Sequence, residues 1–215
     1  MIAGPYVINL ENRTDRWDFF KQQIKDYDLQ NASRFDAVHN ANGILGCLQS
    51  HTNALKNAPA DAAAVWICED DCRFLIPKEE LEFMIQQFME SDADMLMIEN
   101  HFLRQEPYDN YFARALEAHN MGSYIVKPRM RAALIKIYDE AYEDRVWNRP
   151  SSLRDRYMSL PSVFKCEQGF YAADQCYKVL FEEYIIIGSK LTRTAKQIPS
   201  FSDIGKCFTQ HAGEN

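Results

Sequence analysis

Apolar residues along the chain fall into short blocks separated by longer stretches with helical spacing. Tyr6-Val7-Ile8-Asn9-Leu10 reads as a first strand, and Trp17 to Tyr27 follows with apolar positions at helical intervals. Phe35-Asp36-Ala37-Val38 is a second brief extended run. Gly46 to Asn57 reads as a helix that stops at Asn57-Ala58-Pro59, because a residue preceding proline disfavours the helical region. Ala63-Ala64-Val65-Trp66-Ile67-Cys68 is then continuously apolar and ends abruptly in three acids. A buried central strand with a polar site at its carboxyl end has this pattern.

Farther along, Glu79 to Met89 places apolar residues at 81, 84, 85 and 88, one face of a helix. Met95-Leu96-Met97-Ile98 is a further buried strand ending at Glu99-Asn100. Residues 101–120 read as a polar loop region with aromatic anchors. Ser123 to Val126 is a strand, and Pro128 suits the first position of a helix reaching about Tyr142. Residues 144–170 read as irregular, Asp174 to Phe181 as a short helix, Tyr184 to Ile187 as a late strand, and the tail from Lys190 as a loop. This alternation predicts a three-layer α/β/α sandwich with a mainly parallel central sheet, whose ligands bind beyond the carboxyl ends of the strands. No repeat or linker divides the chain, so residues 1–215 read as one domain, which a longer polypeptide could contain.

Composition narrows the function classes. The chain has 215 residues, 47% hydrophobic and 26% charged, with a formal net charge of -7 and no dense Lys/Arg block. A nucleic-acid partner wants a basic stripe, which is lacking. A metal or a few local cations still suffice to hold a small anionic ligand. The first residues lack the order of a signal peptide, and no run approaches the roughly 18 apolar residues of a membrane span. Six cysteines lie scattered without zinc-type pairs, which reads as reduced thiols used mostly for packing in a cytoplasmic protein.

Five groups of residues could carry chemistry. Glu69-Asp70-Asp71 repel one another at the end of an apolar strand and would be costly without a cation. Residues i and i+2 of an extended segment point the same way, so Glu69 and Asp71 could share one ion while Asp70 faces elsewhere. Oxygen ligands suit Mg²⁺ or Mn²⁺, which also take diphosphate oxygens; a solvated acidic turn is the competing explanation. After the first strand, Arg13 and Arg16 could meet phosphate or base edges, although helix capping and surface pairing explain that spacing better. In Gly46-Cys47-Leu48-Gln49-Ser50-His51, a lone helical histidine is more often structural than a ligand. Asp174, just inside a helix start, is either favourable to the helix dipole or a general base. In the tail, polar donors around Gln197 and Ser202-Asp203, with His211 beyond, could fold over a diphosphate; a frayed terminus is the alternative.

The order of these motifs resembles glycosyltransferase family 25, the lipopolysaccharide- and collagen-type glycosyltransferases with a GT-A fold. The resemblance rests on Val7-Ile8-Asn9-Leu10 leading to Arg13 and Arg16, then Ala37-Val38, then the intact Gly46-Cys47-x-x-Ser50-His51. Glu69-Asp70-Asp71 after a hydrophobic strand, Tyr124-Ile125, Ala132 to Leu134, Asp174, and Gln197 with Ser202-Asp203-Ile204 continue it. The resemblance implies a GT-A fold and a metal-dependent hexosyltransferase using a nucleotide-diphosphate sugar, a UDP-sugar above all, with Mn²⁺ or Mg²⁺. Its acceptor would be a hydroxyl of a glycan or glycoprotein. Asn9, Arg13 and Arg16 would line the nucleotide pocket, Glu69 and Asp71 would hold ribose and metal, and His211 would supply a third metal ligand. Ser50, His51, Asp70 and Gln197 fall within the donor-binding motifs, and the Ser202-Asp203 loop would close over the diphosphate. Asp174 would take the acceptor proton if the reaction inverts. Residues 101–120 and 144–170 show no match, which leaves the acceptor unidentified. Two other classes fit acids at strand ends: a non-catalytic nucleotide- or glycan-binding module, and a metal-dependent phosphohydrolase or nucleotidyltransferase. The last would want a glycine-rich phosphate loop, which is lacking.

Overall fold

The structure, a computed structural model, describes residues 1–161, 168–190 and 193–198. The apolar blocks form strands and the periodic stretches helices. In chain order, β1 (Ile2–Asn9), α1 (Thr14–Asp26), β2 (Ser33–Asp36), α2 (Gly43–Asn57), β3 (Ala64–Glu69) and β4 (Cys72–Phe74) build the first half. Then come α3 (Lys78–Glu90), β5 (Met95–Met97), β6 (His101–Pro107), β7 (Phe112–His119), β8 (Ser123–Val126) and α4 (Pro128–Trp147). The chain closes with α5 (Ser152–Ser159), α6 (Ala173–Cys176), a 3-10 turn over Tyr177–Leu180, β9 (Ile186–Ser189) and β10 (Ala195–Gln197).

Eight strands form one sheet in the order β2-β1-β3-β8-β5-β9-β7-β6, while β4 and β10 pair as a separate ribbon. Strands β2, β1 and β3 are mutually parallel, as are β5 and β9. β8 runs antiparallel between β3 and β5, and β7 antiparallel between β9 and β6. Six of the eight strands therefore share one direction, and β8 and β7 oppose it. One face packs on α2, α4 and α6 through Leu48, Leu55, Leu134 and Cys176. The other packs on α1 and α3 through Phe20, Leu81, Met84 and Phe88. Each such fully buried side chain contributes roughly 1.5–3 kcal/mol of transfer free energy, so both helical layers are fastened to the sheet.

Local signals explain the helix ends nearest the site. The Asn42 side chain accepts from the Ile44 and Leu45 backbone N–H groups and starts α2. Pro128 opens α4, and Asn148 in the left-handed region (φ 50°) ends it.

Three segments differ from the sequence reading. Residues 101–120, expected as loop, hold the β6–β7 hairpin: β6 is an edge strand exposed along most of its length, so no alternation marks it. Residues 144–170, expected as irregular, carry the last turn of α4 and all of α5, a short polar helix started by the Ser151 side chain accepting from Leu153 N. Within the tail, Ala195–Gln197 pairs antiparallel with Cys72–Phe74; three residues are too short for a periodic signal. No helix among the described residues is long and apolar enough to cross a membrane.

Candidate functional site

The carboxyl ends of β1, β3 and β5 meet the start of α6 and the β10 segment, and acidic side chains collect there. Glu69 ends β3; its backbone N–H bonds Gly122 O at 2.7 Å, and the next amide, of Asp70, bonds Ile8 O at 3.2 Å. The acidic turn is thus pinned on both flanks; Asp70 and Asp71 both lie beside Arg16, while Glu69 meets His51.

Asp70 turns toward β1 and α1. Asn9 Nδ2 donates to its Oδ2 at 2.7 Å, and Arg16 Nη1 to its Oδ1 at 2.9 Å. Both side chains of the Arg16–Asp70 pair are nearly inaccessible, at 8% and 6%. Burial raises the Asp70 carboxyl against the opposing pull of Arg16 and Asn9. Asn9 also donates to Arg13 O at 3.0 Å and accepts from Arg34 Nε at 2.8 Å. Arg13 itself pairs with Asp15 at 2.9 Å on the surface.

Glu69 turns toward α2 instead. His51 Nε2 lies 3.0 Å from Glu69 Oε1, while His51 Nδ1 lies 3.0 Å from the Tyr124 hydroxyl. Cys47, one helical turn before His51, reaches the same carboxylate oxygen at 3.7 Å, and Gln197 Nε2 donates to Oε2. Burial alone would raise the Glu69 carboxyl, but the hydrogen bonds from His51, Gln197 and Cys47 outweigh it and hold it below the usual range. The Gly46–His51 motif now has a physical basis. A Cβ at Gly46 would lie 2.8 Å from Val38 O, so glycine lets α2 approach closely. Ser50 Oγ accepts from Val38 N at 2.8 Å and donates to Gly46 O at 2.6 Å, anchoring that approach. Ser50 therefore sits behind the site, bonded to backbone.

Asp71 is the least compensated of the three. It is buried, its Oδ2 is 3.9 Å from Arg16 Nη1, and its Oδ1 has no hydrogen-bond partner among the described residues. Burial and the neighbouring Glu69 push its carboxyl well above the ordinary value.

Glu99, just past β5, belongs to the same centre and was not singled out from the sequence. It is wholly buried and accepts from Asn120 Nδ2 at 3.0 Å, Gly122 N at 3.1 Å, Gln197 N at 3.1 Å and Arg193 Nη2 at 3.5 Å. A side chain on Gly122 would collide with this carboxylate, so the close backbone approach requires glycine. Burial, then Glu69, push the Glu99 carboxyl up to about 7. The signal available in the sequence was an acid directly after a buried apolar strand, the same signal that marked Glu69.

Asp174, in the first turn of α6, accepts from Gln175 Nε2 at 3.2 Å. Burial raises its carboxyl and the Glu69 charge adds to that, while Lys178 and the Asn120 backbone N–H favour the ionised form. It therefore shares the electrostatic field of Glu69. Ser202, Asp203 and His211 lie outside the described residues, as do Cys166 and Cys207.

Among the described residues, one group has the ligand spacing to hold a cation. The ligand atoms of Cys47, His51 and Glu69 lie within 4.8 Å of one another. There both ring nitrogens of His51 are already engaged, Nδ1 with the Tyr124 hydroxyl and Nε2 with Glu69. Asp71 forms no such group of three with Glu69 and Glu99 among the described residues; its Oδ1, buried without a hydrogen-bond partner there and in the field of both acids, is a hard oxygen donor of the kind a divalent cation takes.

No family model matches the chain, and no curated protein matches it. Solved structures do align with it. Mannose-1-phosphate geranyltransferase from Thermus thermophilus aligns at 12% identity over 85% of this chain, with TM-score 0.42; the chain covers 58% of that protein. Apo UDP-glucose pyrophosphorylase aligns at 11% identity over 87% of this chain and 72% of its own, with TM-score 0.46. A Drosophila β1,4-galactosyltransferase 7 mutant, in complex with manganese, UDP-Gal and xylobiose, aligns at 11% identity over 97% and 76%, with TM-score 0.43. Alignments this loose assign no activity to the chain.

Proposed function

We propose that the chain is a divalent-metal-dependent glycosyltransferase that moves a hexose from a UDP-sugar to a hydroxyl of a glycan or glycoprotein. The observation that carries this reading is the buried Asp71 carboxylate, whose Oδ2 lies 3.9 Å from Arg16 while its Oδ1 has no hydrogen-bond partner among the described residues, in the field of Glu69 and Glu99. The family 25 resemblance supports it through Asn9, Arg16, His51, Glu69 and Gln197, which meet at or beside this centre, while Ser202-Asp203 lie outside the described residues.

Asp71 and Glu69 would hold Mn²⁺ or Mg²⁺, which supplies charge neutralisation for the departing nucleoside diphosphate. Asn9 and Arg16 flank the acidic turn on the β1 side. There Arg16 presents a guanidinium edge already fixed by Asp70, suited to an anionic or hydrogen-bonding donor group. His51 and Gln197 fix the Glu69 carboxylate from two sides, which limits its reorientation when a ligand enters. Asp174 enters the centre from α6. In a single-displacement transfer it accepts the proton of the acceptor hydroxyl; burial raises its carboxyl, which strengthens it as a base, against the smaller opposing pull of Gln175, Lys178 and the Asn120 N–H.

The test is release of UDP from UDP-sugars by the whole chain, with and without Mn²⁺, in the parent and in Asp71→Asn. UDP release that needs Mn²⁺ and vanishes in Asp71→Asn is expected. Release of phosphate or diphosphate instead would move the protein to a different enzyme class.

A further inference from the structure

On the far half of the sheet from Asn9 and Arg16, where β7 and β6 form its edge, lies a cavity of about 260 Å³. Its polar lining comes from Arg104, Arg114, Glu117, Lys178 and Glu182, and its apolar wall includes Leu160 and Phe181. A register shift in the hairpin sets Arg104 opposite Glu117. Glu117 and Lys178 are each only 3% exposed. Burying such charges costs several kcal/mol per ion unless they are paired, and the fold pairs them: Arg104 Nε lies 3.1 Å and Lys178 Nζ 3.7 Å from the Glu117 carboxylate.

The cations exceed what this carboxylate balances. Lys178 Nζ also lies 3.0 Å from His119 Nε2. Burial, then Lys178, push His119 down to about 4, so the ring is neutral and accepts. Arg114 reaches Glu106 only at 3.4 Å, at the half-exposed outer edge, and its Nε is buried without a hydrogen-bond partner among the described residues. Glu182 at the rim is itself paired with Arg156 at 3.5 Å. Arg156 lies closer still to Glu183, at 2.6 Å, so among the described residues the lining sets three cationic side chains against two carboxylates, the buried Glu117 and the exposed Glu182, beside a hydrophobic wall.

We infer that this cavity is a binding site for an acidic sugar. Its carboxylate or phosphate substituent meets Arg114 and Lys178, and the C–H face of its ring packs on Phe181 and Leu160. A mixed lining of a few fixed polar groups on an apolar surface is what orients a small ligand, and guanidinium favours carboxylate and phosphate alike. A chain of contacts links the cavity to the acidic centre: Lys178 in its lining bonds His119, and the next residue, Asn120, bonds Glu99. With the nucleotide assigned to the β1 side, an acidic sugar here would present a hydroxyl toward Asp174. That role as acceptor subsite rests on the transferase reading, whereas the binding itself does not.

The experiment titrates the whole chain with methyl β-glucuronoside, glucose 6-phosphate, methyl β-glucoside and inorganic phosphate, followed by NMR without nucleotide or metal. One or both acidic sugars should bind at least about tenfold tighter than the neutral glycoside, as expected for a charged hydrogen bond. Whichever binds better identifies the anionic group. Arg114→Gln should remove that preference, and Arg104→Gln, at a half-exposed position on the edge strand, should weaken it while the melting temperature holds. Equal binding of neutral and acidic sugars, or an unchanged preference in both variants, would overturn the site. Inorganic phosphate binding as tightly as the sugars would overturn its sugar specificity. Acidic-sugar binding in a protein that binds no UDP would leave this site standing and remove only the transferase reading.

Discussion

His51 and Glu69 face each other across the boundary between helix and sheet, with 3.0 Å between Nε2 and Oε1, and the Tyr124 hydroxyl fixes the other ring nitrogen. Glu69 is thereby aimed by groups that are themselves held. His51→Ala takes one partner from the buried Tyr124 hydroxyl and one from Glu69, which keeps Cys47 and Gln197, and costs about 1–3 kcal/mol. Urea denaturation should show this loss together with weaker Mn²⁺ affinity. Full metal affinity in a folded His51→Ala variant would show that the pair serves stability alone.

Arg16 and Asp70 form the buried ion pair that ties α1 to the acidic turn. Asp70→Ala removes the nearer of the two carboxylates beside Arg16, leaving Asp71 at 3.9 Å, and should cost up to about 3–5 kcal/mol. Asp70→Asn can still accept from Arg16 and should cost less. Chemical denaturation of the two variants ranks them, and equal losses would mean that the Asp70 charge contributes little.

Glu99 gives the fold a pH dependence of definite sign. Its carboxyl is raised to about 7 from 4.5, first by burial and then by Glu69. The folded state therefore holds this proton more tightly than the unfolded chain. The associated stability is fully present below pH ~4.5 and is lost as pH rises through about 7. Glu99→Gln mimics the protonated form and should flatten that slope, gaining up to roughly 3 kcal/mol over the parent above the window. Glu69, held low, acts in the opposite sense as the solution turns acid, so the difference between parent and variant isolates Glu99. Superimposable stability–pH profiles would contradict the assignment.

The site was only partly legible in the sequence, and the boundary has physical causes. Ala64 to Glu69 announced itself because a strand buried on both faces is continuously apolar, so the acids at its end stood out. Glu99 follows an equally buried but shorter strand, and its partners Gly122 and Gln197 come from 23 and 98 residues away. No local pattern encodes such pairings. The β6–β7 hairpin was hidden because β6 faces solvent, and Ala113, Ala115 and Ala118 pack in β7 without the branched residues that usually mark a strand. Because the acidic-sugar cavity is built on that hairpin, it too was invisible. The helix spanning Gly46 to His51 was legible as a motif, and the structure adds why: glycine for close approach, serine for the anchor, and cysteine with histidine facing Glu69.

Asp174 separates donor binding from transfer. Asp174→Asn keeps the side-chain volume and should leave UDP affinity within about twofold while lowering transfer by about 10²–10⁴, the usual contribution of a general base. Parallel binding and product assays check this, and a parental transfer rate would remove Asp174 from the reaction.

The central claim is that Asp71 awaits a cation that also holds the donor diphosphate. The most direct measurement is calorimetric titration of UDP into the parent and Asp71→Asn, with and without Mn²⁺, with melting temperatures recorded alongside. The account predicts that the parent binds UDP at least about tenfold tighter with Mn²⁺ than without. Ligand at ~100 times its dissociation constant should add about 2.7 kcal/mol to the parent. Asp71→Asn should lose the metal dependence yet melt no lower in the absence of ligand, because removing its charge relieves repulsion from Glu69. UDP affinity indifferent to Mn²⁺, or unaltered metal dependence in the variant, would contradict the account.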